Sequence, residues 1–125
     1  MRFLCLVNID KDEATKLGEA DWAAIDRDSM DYDRALDRRG GYVVSMALRE
    51  PETARTVRVR RGRAMVTDGP FVETKEHVAG FILIEAEDMD AALEIAKKIP
   101  LATIGSIEVR AEMVLTRPEP KLEKP

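Results

Sequence analysis

Two short segments, residues 3–7 and 81–84, are apolar at every position, and they constrain the fold more than any other feature of this chain. Alternate residues of a β-strand point to opposite faces of a sheet, so a strand that is apolar throughout needs cover on both faces. Both segments are far shorter than the roughly 20 residues of a membrane-spanning helix. We therefore expect two central strands in a sheet that is covered on both sides.

The remaining patterns predict the order strand, helix, strand, hairpin, strand, helix, strand. Apolar residues spaced three and four apart predict an amphipathic helix over 19–39, which two glycines end, and Asp88 is the expected N-cap of a second helix. Runs of apolar and alternating residues predict strands over 2–9, 42–48, 55–61, 63–67, 77–85 and 107–115. The third and fourth of these strands are joined by a glycine and form the hairpin.

Without the hairpin the order is βαββαβ, so the sequence predicts an α+β domain of the ferredoxin-like type with an inserted β-hairpin. In that fold both helices lie on one face of a four-stranded antiparallel sheet. The apolar strands then lack a cover on the second face, and the simplest cover is an identical chain. We expect a homodimer that is joined sheet to sheet, with any small-molecule cavity near the sheet edges or between the layers.

The size and composition of the chain set the expected class of protein. A length of 125 residues fits one domain, which we assign to residues 1–116, and residues 117–125, with three prolines, are expected to fray. Cys5 is the single cysteine, so no disulfide can form within the chain, and a reducing cytoplasmic location is expected. The net charge of −4 opposes general nucleic-acid binding, and no segment is long enough for a membrane.

No phosphate-cradling glycine loop, dinucleotide fingerprint or metal-ligand cluster occurs in the sequence. We therefore expect neither a cofactor nor a metal. On the long helix, Trp22 and Tyr32 share a stripe that is typical of core packing. Ser29 lies on the same stripe, and it is a weak candidate nucleophile because no histidine adjoins it in the sequence.

The sequence Asp68-Gly69-Pro70-Phe71 predicts a sharp and rigid turn. Gly69 can adopt a positive φ, Pro70 has a restricted φ and no N–H, and Asp68 can accept hydrogen bonds from the backbone that follows. Phe71 would anchor this turn against the body of the domain. The alternative is that Asp68 faces a ligand.

After the turn, Glu73, Lys75 and His77 share one side of an extended chain. His77 borders an apolar surface and has carboxylates in reach, which makes His77 and Asp68 the candidate acid and base catalysts. The alternative is a solvated loop in which His77 makes one structural hydrogen bond. Glu73 and Lys75 either pin this loop or orient a polar ligand.

The predicted hairpin carries five arginines, of which Arg58 and Arg60 share a face and are candidate ligands for a carboxylate or phosphate. A small polar or acidic ligand is the partner that these residues suggest. The alternative is that the positive charges protect an edge strand, with Val57 and Val59 as an ordinary inward side. No aromatic residue is interleaved with the arginines, which argues further against nucleic acid.

The strings "VTDGPFVETKEHVAGF" (66–81), "TVRVRRGRAMVTDGPF" (56–71) and "SIEVR" (106–110) resemble the DGPF branch of the YCII-related family. The resemblance covers nearly the whole chain. It implies a ferredoxin-like fold that pairs as a dimeric α+β barrel, and a family that includes small enzymes with a histidine and aspartate pair. Some genes of the branch lie beside extracytoplasmic-function sigma factors.

One departure from the family concerns the histidine. The proposed family histidine lies near the first helix, whereas residues 11–39 contain none here. Three functions fit the sequence. The first is a cofactor-independent small-molecule enzyme that performs a lyase- or isomerase-like step by acid–base chemistry in a dimer-associated pocket. The second is a ligand-binding or regulatory module in a sigma-factor stress response, and the third is an architectural dimer without a ligand.

Overall fold

The computed structural model describes residues 1–70, 74–116 and 118. They form a mixed α+β fold in which the predicted order of strands and long helices is confirmed. In chain order the elements are β1 (Arg2–Asp10), α1 (Lys11–Thr15), α2 (Glu19–Arg38), β2 (Tyr42–Ala47), β3 (Arg55–Arg60), β4 (Arg63–Asp68), β5 (Glu76–Glu85), α3 (Met89–Ala96) and β6 (Gly105–Ala111). Two 3₁₀ turns lie at Pro51–Thr53 and Pro100–Ile104.

The main sheet has four strands in the order β2-β5-β1-β6, and every neighbouring pair is antiparallel. β1 lies between β5 and β6, and its Leu4 is opposite Leu83 on one side and Arg110 on the other. This strand order is that of the predicted βαββαβ arrangement. The hairpin of β3 and β4 forms a separate two-stranded sheet, in agreement with its prediction as an insertion.

One face of the main sheet carries the core. The helices cover this face, and its buried side chains come from β1, β5, α2, α3 and the segment after α3: Phe3, Cys5, Val7, Leu36, Ile82, Ile84, Ala92, Ala96 and Ile99. Burial raises the pKa of the Cys5 thiol to about 11, so this thiol stays protonated and packs as an apolar group. The core therefore accounts for one of the two apolar faces that the sequence predicts.

The opposite face, which we call the open face, is only half-buried within the single chain. It carries Leu4 and Leu6 of β1 beside Leu83 and Phe81 of β5, and these residues are direct cross-strand partners. No described helix packs on them, because α2 and α3 both lie on the core face. The described helices therefore do not cover this face, and the segment after β6 shares a cavity with its Leu4 and Leu83.

The hairpin differs from its prediction in one respect. Val57 and Val59 were expected to form an inward side, but they are 63% and 58% exposed, so that interpretation is wrong for the single chain. The reason is the separation of the hairpin from the main sheet, which leaves the valine face of β3 exposed.

The helix boundaries follow local hydrogen bonds. Asp88 caps α3 as predicted, since its carboxylate accepts from the Ala91 N–H at 2.9 Å. Asp10 caps the short α1 in the same way, through the Asp12 and Glu13 N–H groups. None of the helices within the described residues is both long and apolar enough to span a membrane.

Candidate functional site

The residues of the predicted turn lie at the end of β4. Gly69 has a φ of 92°, and the Asp68 carboxylate pairs with the Arg55 guanidinium at 3.2 Å across the hairpin. The Asp68 side chain is 89% exposed. The predicted anchor Phe71 and the candidate ligand Glu73 lie outside the described residues. Asp68 therefore has a structural partner in the hairpin.

Lys75 has two carboxylate partners, which favours the loop-pinning alternative for this residue. Its ammonium group lies 3.6 Å from both Asp10 and Asp12, and these carboxylates raise the pKa of Lys75. The Lys75 carbonyl also accepts a hydrogen bond from the Lys11 N–H at 3.0 Å. These contacts join the segment before β5 to the start of α1.

Arg58 and Arg60 lie on one face of β3, as predicted, where Arg58 is half-buried and Arg60 is exposed. The Arg60 guanidinium donates to the Val59 carbonyl at 3.1 Å. The hairpin thus places the two arginines at the surface, away from the core face of the main sheet.

His77 lines a cleft of about 530 Å³ between the segment after β2 and the start of β5. Its Nδ1 atom is buried and has no hydrogen-bond partner within the part of the chain that the structure describes. Pro70 lines the same cleft, but Asp68 is not among its lining residues. The structure therefore does not place the two predicted catalytic residues around one cavity.

A second cavity lies on the core face of the main sheet, beside α2. We call it the helix-side cavity. It has a volume of about 340 Å³, within the range of roughly 300–1,000 Å³ that is typical of small-molecule sites. Residues of α2, β2 and β5 form its walls, and the segment Ile99–Leu101 closes one side. Most of this lining is apolar.

A chain of three hydrogen-bonded side chains lies at this cavity. The Ser45 hydroxyl donates to Asp33 Oδ2 at 2.7 Å, and the Tyr42 hydroxyl lies 2.9 Å from Ser45 Oγ. A serine hydroxyl has one proton, so when it donates to Asp33 the Tyr42 hydroxyl must be the donor to Ser45. The chain of donors therefore runs from Tyr42 through Ser45 and ends on the Asp33 carboxylate.

The environment of Asp33 favours its neutral form more than water does. Burial raises the pKa of the Asp33 carboxyl, and the hydrogen bond from Ser45 offsets part of that rise. Asp33 and Asp26 are the ionisable residues among the described residues that line the helix-side cavity, and no lysine, arginine or histidine lines it there. The cavity thus places an acid of raised pKa against apolar walls.

Ser29 supplies a further polar group. It precedes Asp33 by four residues on α2, so the two side chains share a face of the helix, and both line the helix-side cavity. The Ser29 hydroxyl oxygen is buried and has no hydrogen-bond partner among the described residues. An unpaired buried polar group costs about 1–3 kcal/mol. A ligand that hydrogen-bonds to Ser29 would recover this free energy.

The sequence interpretation missed Asp33, Ser45 and Tyr42. One signal was present: Ser29 and Asp33 form a polar pair, four residues apart, beside the apolar stripe of the long helix. The contact from Asp33 to Ser45 joins α2 to β2, and no local pattern indicates it. Within the described residues, no cluster of three or more His, Cys, Asp or Glu side chains is placed to hold a metal ion.

The chain is similar to a known domain family and to a bacterial protein. The YCII-related domain family matches residues 1–115 of the chain. An uncharacterized protein of Rhizobium meliloti (strain 1021) is 46% identical over 59 residues. That alignment covers 46% of this chain and 48% of the relative, so the similarity extends over about half of each protein.

Proposed function

The chain belongs to the YCII-related domain family, and from this premise we propose that it is a cofactor-independent small-molecule enzyme that transfers protons in the helix-side cavity. One observation carries the proposal. A carboxylic acid of raised pKa, held by the hydrogen-bond chain from Tyr42 and Ser45, lines a cavity in which the Ser29 hydroxyl lacks a partner. Acids of shifted pKa in cavities are typical of catalytic sites.

In the proposed mechanism Asp33 is the catalytic acid and base. Its carboxylate takes a proton from a carbon atom beside a carbonyl group of the substrate, and the Ser29 hydroxyl holds the substrate by a hydrogen bond. The resulting acid returns the proton to a neighbouring atom, which completes an isomerase-like step, or to a departing group, which completes a lyase-like step. The raised pKa makes the Asp33 carboxylate a stronger base than a fully solvated carboxylate.

The second candidate function is a binding or regulatory module that uses the same cavity. The position of the histidine favours it, because His77 lines a different cleft and is not among the residues beside Asp33. In this case Asp33 and Ser45 join α2 to β2 and contact the ligand. The ligand is then released from the cavity without chemical change.

The test begins with the small molecules that are released when the purified protein is denatured. Each is incubated in D₂O with the wild-type protein, and NMR follows its conversion and its uptake of deuterium. We expect exchange or conversion with wild-type protein, a loss of about 10²-fold or more in rate with Asp33→Asn, and a smaller loss with Ser45→Ala.

The variant His77→Gln is the matched control because His77 lies outside the helix-side cavity. We expect its rate to stay within a few-fold of the wild-type rate. A loss of about 10²-fold in His77→Gln with an unaffected Asp33→Asn would place the chemistry in the histidine cleft instead. Bound molecules that are recovered without exchange or conversion would identify a binding module.

We also propose that two chains pair through the open face as a dimeric α+β barrel. The support is the row of half-exposed apolar side chains at Leu4, Leu6, Phe81 and Leu83. The string at 66–81 supports membership of the DGPF branch, and the buried, unpaired thiol of Cys5 supports a cytoplasmic location.

A further inference from the structure

We propose that the ligand of the helix-side cavity is a small organic amine, bound as its ammonium ion by Asp33 and Ser29. This inference deepens the proposed function and rests on its assignment of the helix-side cavity as the ligand site. It differs from the small acidic ligand that the hairpin arginines suggest, because the two sites carry opposite charge.

The charge of the cavity favours a cationic ligand over an anionic one. Both ionisable residues in its described lining, Asp26 and Asp33, are acids, and no basic side chain in that lining offsets them. Within the described residues, Ser45 is the hydrogen-bond partner of the Asp33 carboxylate, and that bond is to a neutral hydroxyl. A carboxylate in a partly apolar site gains most from a ligand that brings a positive charge.

The hydrogen-bonding groups fit an ammonium head. An ammonium group has three donors and no acceptor. The Asp33 carboxylate has a second oxygen, Oδ1, besides the one that Ser45 contacts, and the Ser29 oxygen can accept without competition from the protein. The third donor can bind water, and Asp26 adds a further carboxylate to the lining of the same cavity. One ammonium group can therefore satisfy the polar atoms that the fold leaves incomplete.

The walls of the cavity select an organic cation over a bare ion. Apolar side chains such as Met30, Ile82 and Leu101 line most of the volume of about 340 Å³. They can offer dispersion contacts to a hydrocarbon body but no ligands to a hydrated metal ion. The chemistry that fits is a compact hydrocarbon skeleton with one protonated amine. The negative net charge of the chain also attracts such a cation from solution.

The experiment compares three probes with one ring and different head groups: cyclohexylamine, cyclohexanol and cyclohexanecarboxylate. Each is titrated into the full chain at neutral pH while amide NMR shifts are recorded. We expect cyclohexylamine to bind about tenfold more tightly than cyclohexanol and the carboxylate to bind most weakly. The shifts should centre on Ser29, Ser45 and Gly80, which line the cavity.

Two variants separate a specific site from general attraction to a negative protein. Asp33→Asn should remove the preference for the amine and leave the binding of cyclohexanol unchanged. Asp28→Asn removes one carboxylate from the same helix at a 61% exposed side chain outside the cavity lining, and it should keep the preference.

The proposal is overturned if the amine binds no better than the alcohol, if no probe binds, or if the amine preference survives in Asp33→Asn. These outcomes are independent of the deuterium-exchange experiment. An amine preference without proton exchange would reject the proposed catalysis and support the amine as the ligand class. Proton exchange on a neutral bound molecule, without an amine preference, would support catalysis and reject the amine as the ligand class.

Discussion

At the scale of single residues, Asp33 is a carboxylate whose ionised form opposes folding. Burial raises its pKa above the ordinary value of 3.8, so the folded chain holds the proton more tightly than the unfolded chain does. Its contribution to stability is fully present below pH 3.8 and is lost as pH rises through the folded-state pKa. At neutral pH the wild-type chain therefore folds against the cost of this charge.

The variant Asp33→Asn removes that cost while it keeps an acceptor for Ser45. We compare the free energies of unfolding of Asp33→Asn and of the wild type. The variant should gain stability relative to the wild type as pH rises, and this gain should level off above the folded-state pKa of Asp33. Urea unfolding from about pH 3 to about pH 8 measures the difference. Since the same variant should lose catalysis, a gain in stability with a loss of rate would be the expected mark of a functional acid.

Asp26→Asn controls for the loss of one negative charge, because Asp26 is exposed on the same helix. It should show a weaker dependence on pH than Asp33→Asn does. If the difference for Asp33→Asn instead became smaller with rising pH, Asp33 would be stabilised as an anion in the folded chain. The electrostatic basis of the proposed site would then be wrong.

Residue roles were the part of the structure that the sequence predicted least. Lys75 was expected to pin a loop or to orient a ligand, and the choice depended on where Asp10 and Asp12 lie in the fold. In the sequence, Ser45 has the pattern of an ordinary strand residue. Its contact with Asp33 appears only in the folded chain, where α2 lies beside β2. Contacts of this kind depend on how a helix crosses a sheet, and that geometry is not encoded in local periodicity.

At the scale of elements, strands β2 and β5 approach closely beside the helix-side cavity. Ala47 is opposite Gly80, and a Cβ atom at Gly80 would lie 2.5 Å from the Met46 carbonyl oxygen. That oxygen belongs to the backbone, so it cannot rotate away, and one strand must shift. We expect Gly80→Ala to lower the free energy of unfolding by about 1–3 kcal/mol in urea denaturation.

Gly41→Ala is the matched control for the same added methyl group. A Cβ atom there would meet its nearest neighbours at 3.6 Å, which is ordinary van der Waals contact. We expect this variant to be as stable as the wild type, or more stable by about 0.4–1 kcal/mol because its unfolded chain has less freedom. Equal losses in both variants would contradict the close approach of β2 and β5.

The order of elements could be predicted because each long element repeats its pattern several times. The strands and α2 were confirmed to within a few residues, but the last strand ends at Ala111 and not at residue 115. The alternation continues beyond that point, but among the described residues the backbone pairing with β1 stops after the hydrogen bond from the Glu112 N–H to the Arg2 carbonyl. The helix α1 was missed because five residues without an apolar stripe give no periodic signal, and its Asp10 cap is the one cue.

At the scale of the whole molecule, the open face is the feature that the single chain leaves incomplete. Half-exposed leucine and phenylalanine side chains lie side by side on β1 and β5, opposite the face that the helices cover. A second chain that covered these residues would gain the free energy of their burial, at about 25 cal/mol per Å² of apolar surface.

Leu6→Glu tests this pairing because it places a charge at the centre of the open face, where Leu6 is opposite Phe81 and Glu108. We expect the wild type to sediment as a dimer at micromolar concentration and Leu6→Glu to sediment as a monomer. Leu93→Glu is the matched control, since Leu93 is 40% exposed on α3, away from the open face, and this variant should remain a dimer.

The same variant separates assembly from ligand binding. Leu6 is not among the residues that line the helix-side cavity, although its cross-strand partner Phe81 is, so a folded Leu6→Glu monomer should bind cyclohexylamine as the wild type does. Its melting temperature should not depend on protein concentration, whereas that of a wild-type dimer should rise with concentration by mass action. If the wild-type chain sediments as a monomer, the proposed pairing is wrong, but the proposed ligand site in the helix-side cavity is unaffected. Loss of amine binding in a folded Leu6→Glu monomer would instead show that the second chain completes the site.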